Sequence, residues 1–142
     1  MLIRNCRAAL DQYSLELKRV SSILVKSMAR SLGVEALTDM FIDGLQSMRM
    51  NYYPACCEAN KVLGLSPHSD ASGLTLLLQV NQVQGLQIKK NGTWMPIKQL
   101  SSAFIVNIGD ILEVNLTSCS LISKSMTWQN ELSCIYFLFL YR

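Results

Sequence analysis

The hydrophobic period changes at Gln46, and this change constrains the fold more than any other feature of the chain. Before it, Leu10, Tyr13, Leu17, Val20, Leu24 and Met28 recur at spacings of 3, 4, 3, 4 and 4, one stripe of a 3.6-residue period. Asp11, Glu16, Lys18 and Arg19 fall off that stripe. Gly33 closes this long helix just after Arg30, because glycine adopts the left-handed conformation that ends a helix. A shorter helix is expected over Glu35–Ile42, closed by Asp43-Gly44.

After Gln46 the chain breaks into short β-compatible runs separated by turn residues. These are Ser47–Tyr53 before Pro54, Leu74–Val80, Leu86–Lys90, Thr93–Ile97 and Ala103–Ile108, with Gly109-Asp110 turning into a further strand at Ile111–Val114. Asn91-Gly92 between two of them is a two-residue hairpin signal, since both positions of the favoured turn need φ > 0. Antiparallel runs at this spacing imply a sandwich or double-stranded β-helix. The expected fold is therefore mainly β: a partial double-stranded β-helix (jelly roll) preceded by one long and one short α-helix. The segments are 1–45 helical, 46–114 a partial jelly roll, and 115–142 a divergent tail rich in Ser and Thr that ends in the run Ile135–Tyr141.

Composition narrows the function. Half of the 142 residues are apolar and 16% are charged, which excludes wholesale disorder. Thirteen Lys and Arg against ten Asp and Glu give a net charge of +3, spread without the runs that mark a nucleic-acid partner. No apolar stretch follows the charges of the N-terminus, and the longest apolar run, Cys134–Tyr141, is too short for a membrane span. Cys6, Cys56, Cys57, Cys119 and Cys134 are odd in number and irregularly spaced, which fits a reducing compartment better than a disulfide framework or a zinc site. A soluble, cytoplasmic protein is expected.

His68 is the sole histidine. It stands in Pro67-His68-Ser69-Asp70, and in extended backbone residues i and i+2 face the same way, so imidazole and carboxylate can converge on one metal ion. Alone, such a pair is more often a hydrogen-bonded couple than a metal site.

The surrounding residues point one way. Met50–Cys56, Gly64–Gln79, Gly85-Leu86-Gln87-Ile88, Trp94 and Val106-Asn107-Ile108-Gly109-Asp110, in this order and spacing, resemble the plant 2-oxoglutarate/Fe(II)-dependent dioxygenases. The likeness runs from about Tyr13 to Val114 and is strongest to the branch of senescence-related-gene-like proteins and the codeine and thebaine demethylases. It implies that His68 and Asp70 are iron ligands, that Asn51 and Tyr53 contact 2-oxoglutarate, and that Arg49 faces the substrate pocket. Fe(II), 2-oxoglutarate and ascorbate are the implied cofactors, and a small plant metabolite the implied substrate, to be hydroxylated, desaturated or O-demethylated. For the residues themselves, Asn51 and Tyr53 also suit strand packing before Pro54, Arg49 suits a solvated strand position, and Trp94 and Asn107 read as core and turn residues.

The departures are equally specific. Members of this family carry a second iron-binding histidine and an Arg-x-Ser pair after the segment matching Gly109–Val114. Here residues 115–142 hold no histidine, and their one arginine is Arg142. The chain is therefore expected to be an enzyme fragment, inactive by itself, with a non-catalytic small-molecule or partner-binding module as the alternative. Loss of the last strands would leave sheet edges open to self-association.

Overall fold

The computed structural model describes residues 2–58, 61–115, 123–127 and 132–140. The chain divides into two compact units, one of the residues up to Gln46 together with those from Leu140 on, and the other spanning Ser47–Phe139.

In the first unit, α1 (Leu2–Leu32) is followed by the short α2 (Ala36–Asp39). The most buried line of α1 is Leu17, Ser21, Val25 and Ala29, spaced by four. The expected stripe shares Leu17 with it, while Leu10, Tyr13, Val20, Leu24 and Met28 are half-buried along its flank. Ser21 is tolerated on the buried line because its hydroxyl donates to the Leu17 carbonyl at 2.9 Å. Gly33 ends the helix at φ +67°. The Gly33 amide donates to the Arg30 carbonyl at 3.4 Å and the Val34 amide to the Ala29 carbonyl at 3.0 Å, the paired bonds of a Schellman cap. Leu37 of α2 is fully buried.

The second unit carries the strands β1 (Leu45–Tyr53), β2 (Leu63–His68), β3 (Leu74–Gln79), β4 (Leu86–Lys90), β5 (Thr93–Pro96), β6 (Ile105–Ile108), β7 (Ser123–Thr127) and β8 (Leu132–Leu140). They form two four-stranded sheets, ordered β1-β8-β3-β6 and β2-β7-β4-β5. β3 is buried along most of its length, with Leu74, Thr75, Leu76 and Leu77 at 0% exposure, as a central strand covered on both faces must be. Tyr53, Leu77 and Leu86 form one core cluster, with Leu65, Val83, Ile97 and Ile105 packed on it. The β4–β5 hairpin turns on Asn91 (φ +50°) and Gly92 (φ +80°), as the dipeptide predicts.

Two expectations are corrected. Ile111–Val114 is not a strand: it lies in a third helix, α3 (Asp110–Asn115). The Leu112 and Glu113 amides both donate to the Gly109 carbonyl at 3.1 Å, and Leu112 is fully buried. Four residues, three of them apolar, are too few to carry a period that separates strand from helix, and the acidic residues Asp110 and Glu113 favour a helical first turn. The second correction concerns residues beyond Val114, expected to leave the sheets short. Ser123–Thr127 pairs with both β2 and β4, and β8 lies beside β3 with Leu74 opposite Phe139 and Gln79 opposite Cys134. An alternating or aromatic-aliphatic segment can complete a ladder through backbone hydrogen bonds without carrying any family motif.

Candidate metal centre

His68 is the last residue of β2, and Asp70 lies two residues on, where the chain leaves the sheet toward β3. Their side chains converge: His68 Nε2 and Asp70 Oδ1 are 3.5 Å apart. The His68 side chain is 39% exposed and that of Asp70 only 11%, so the carboxylate sits at the base of the site and the imidazole at its open side. On the far side of the ring, His68 Nδ1 lies 2.8 Å from the Ser66 carbonyl. A carbonyl only accepts, so this contact makes Nδ1 the donor and turns Nε2 toward the carboxylate. Two atoms so placed can share one cation, either a proton or a metal ion.

The loop bearing Asp70 is fastened from the β6–α3 junction. The Asp110 amide donates to the Asp70 carbonyl at 2.8 Å, the Gly109 amide to the Gly73 carbonyl at 2.9 Å, and the Ser69 hydroxyl to Asp110 Oδ2 at 2.9 Å. Gly109 lies so close to this loop that a Cβ there would stand 1.9 Å from the Ser72 carbonyl oxygen and 2.8 Å from that of Asp70. Reading Gly109-Asp110 from sequence as a turn missed this role. The signal was a glycine followed by a carboxylate at a strand end, which specifies a turn but not its partner.

The residues proposed to meet a cosubstrate and substrate stand together on β1. Arg49 Nε donates to Asn51 Oδ1 at 3.0 Å, and Asn51 Nδ2 donates to the Tyr53 hydroxyl at 3.0 Å. Alternation places the three on one face of the strand, and burial deepens along it, from exposed Arg49 through half-buried Asn51 to buried Tyr53. This row belongs to the first sheet, while His68 belongs to the second. Trp94 is half-buried, with the Lys89 ammonium 5.8 Å from its ring centroid, and Asn107 is buried on β6.

Residues 44–120, more than half of the chain, match the 2OG-Fe(II) oxygenase superfamily. The chain belongs to this superfamily. Its sequence is 55% identical over 112 residues to Protein SRG1 of Arabidopsis thaliana and 50% identical over 113 residues to thebaine 6-O-demethylase of Papaver somniferum. Each match covers 76% of this chain but 31% of the relative, so the chain spans about a third of the length of these relatives. The fold superposes on the crystal structure of JOX2 in complex with 2OG, Fe and JA with a TM-score of 0.89 at 32% identity, covering 96% of this chain and 42% of JOX2. It also superposes on an auxin-oxidising dioxygenase of Arabidopsis thaliana bound to 2-oxoglutarate, with a TM-score of 0.84, at an identity of 24% that speaks to fold alone.

The donor set fits the metal of this family only in part. An imidazole nitrogen and a carboxylate oxygen are the donors that non-haem Fe(II) sites of the two-histidine, one-carboxylate kind employ. Among the described residues no three His, Cys, Asp or Glu side chains come together, and the sequence holds no second histidine. Between Arg49 and Arg142 it holds no arginine. Among the described residues, His68 and Asp70 are thus a pair of candidate donors without a third beside them. Among the described residues, no helix is long and apolar enough to cross a membrane.

Proposed function

We propose that this chain is the iron-ligand-bearing part of a 2-oxoglutarate/Fe(II)-dependent oxygenase acting on a small plant metabolite by hydroxylation, desaturation or O-demethylation. His68 and Asp70 would hold the metal, which when bound supplies the site for oxygen activation. The reading rests on one observation: Nε2 of His68, whose Nδ1 donates to the Ser66 carbonyl, faces Asp70 Oδ1 at 3.5 Å. That pair has the donor chemistry of the site, and its open side faces solvent. In this reading Asn51 and Tyr53 bind polar oxygens of 2-oxoglutarate through the hydroxyl and amide of their hydrogen-bonded row. Arg49 offers its free guanidinium N–H groups to an anionic or carbonyl-bearing substrate. With two metal donors and no Arg-x-Ser, the 142-residue chain by itself does not turn over, and ascorbate does not rescue it. A cytoplasmic location accompanies this reading.

The sole histidine also favours the alternative, a non-catalytic binding module. Self-association belongs with it. Among the described strands β1 and β6 form the edges of the first sheet, and Met48, Met50 and Tyr52 on one and Val106 and Ile108 on the other are exposed apolar residues.

The test exploits the histidine count. The ring protons of His68 are the only imidazole signals in the proton NMR spectrum, so selective broadening by substoichiometric Mn(II), lost in Asp70→Ala, supports the metal centre. Unbroadened ring signals at millimolar Mn(II) would leave only the binding module.

A further inference from the structure

The β6–α3 junction makes more contacts with the metal-ligand loop than a connecting turn requires. Three hydrogen bonds join it to Ser69–Gly73: Ser69 Oγ to Asp110 Oδ2, the Asp110 amide to the Asp70 carbonyl, and the Gly109 amide to the Gly73 carbonyl. Two of these flank Asp70 directly, one on its own carbonyl and one on the preceding side chain. The bonds span long sequence separations, 41 residues for Ser69 to Asp110. The Ser69 hydroxyl donates to a carboxylate, the stronger kind of acceptor.

Gly109 supplies the independent argument. Its φ is not in the left-handed region, so the backbone conformation does not demand glycine. Space does: the three atoms a Cβ would meet are all backbone atoms of Asp70 and Ser72, at 1.9, 2.7 and 2.8 Å. No side-chain rotation relieves such an overlap, so any larger residue must push the Asp70–Ser72 backbone away. A carboxylate held at 3.5 Å from a neighbouring imidazole does not tolerate a shift of that size while keeping both on one ion.

We propose that Gly109, Asp110 and Ser69 are positioning residues that set the direction of the Asp70 carboxylate toward His68. Gly109 gives the close approach, the Asp110 amide fixes the Asp70 carbonyl, and the Asp110 carboxylate fixes the loop through Ser69. This inference rests on the metal-centre reading, but the clamp has its own signature, because it exists whether or not an ion is bound.

The experiment uses the full chain, nitrogen-15 labelled, with two readouts. Amide hydrogen exchange at Gly109 and Asp110 reports the clamp, and Mn(II) broadening of the His68 ring reports its consequence. In the wild type both amides should be protected and the ring broadened. Ser69→Ala and Asp110→Ala should weaken the Mn(II) effect at least tenfold, with the amides of β3 and β4 unshifted. Asp110→Asn, which keeps an acceptor oxygen for Ser69, should stay within about threefold of wild type. Gly109→Ala should abolish the broadening. Should that variant fail to fold, the Ser69→Ala and Asp110→Asn pair carries the decision. Equal broadening in wild type and Ser69→Ala would overturn the clamp while leaving the metal centre standing. Protected amides with no broadening in the wild type would overturn both, since no ligand pair would remain to position.

Discussion

Lys124 stands directly across from His68 in the antiparallel pairing of β2 with β7. Opposed residues of such a ladder are the ones whose Cβ atoms come within reach of each other. A histidine introduced at this register position is therefore the substitution by which a third nitrogen donor can be tested. Lys124→His should tighten Mn(II) binding at His68 at least tenfold, worth about 1.4 kcal/mol. The check is a titration of His68 ring broadening, and an unchanged midpoint would show that this register position does not face the ligand pair.

The wild-type chain, supplied with Fe(II), 2-oxoglutarate and ascorbate, should form no succinate above a His68→Ala control. Two donors hold iron weakly, and the cosubstrate's far carboxylate lacks a bidentate guanidinium partner. Succinate measured by mass spectrometry above that control would contradict the assignment of inactivity to this stretch.

Leu77 is fully buried in the cluster with Tyr53 and Leu86. Leu77→Ala should cost about 2–5 kcal/mol through lost contacts and a residual cavity, read as a fall in the urea midpoint. Gly92→Ala at the hairpin meets no atoms but forces a side chain to φ +80°, and should cost about 1 kcal/mol by the same measurement.

Burial raises the Tyr13 hydroxyl above its ordinary value of 10.0. A raised folded-state value means that the folded chain holds the proton more tightly than the unfolded one. The contribution is therefore complete below pH 10.0 and is lost as pH climbs from there through the folded value. Thermal melts followed by helical circular dichroism should show this alkaline loss in the wild type and less of it in Tyr13→Phe.

Exposed Met50 and Val106 on the two edge strands should drive concentration-dependent association, seen by sedimentation velocity. Met50→Lys combined with Val106→Lys should return the chain toward monomer, as charge on an edge strand opposes pairing.

Much of the architecture was legible because it follows from local chemistry. The i, i+3, i+4 spacing from Leu10 to Met28 specifies a helix whatever it packs against, Gly33 specifies its end, and Asn91-Gly92 specifies a hairpin with both residues at positive φ. The strands β1, β3, β4, β5 and β6 fall where alternation and turn residues put them. The residue types at positions 68 and 70 marked a candidate pair, and only the motifs around them raised the metal reading above that of a hydrogen-bonded couple.

Tertiary structure decided what spacing leaves open. Whether Ile111–Val114 became strand or helix depended on the Gly109 carbonyl being free to receive two amides, and on a buried place for Leu112. Whether the residues after Val114 joined the sheets depended on the edges that β2, β3 and β4 presented to them. The union of Ser69 with Asp110, and of Gly109 with the backbone of Asp70 and Ser72, joins segments about forty residues apart through close approach of main chains. Sequence specifies the conformations each segment can adopt because those are set by its own sterics and hydrogen bonds. It does not by itself specify which distant backbone fills the space a glycine leaves, since that depends on how the whole sheet packs.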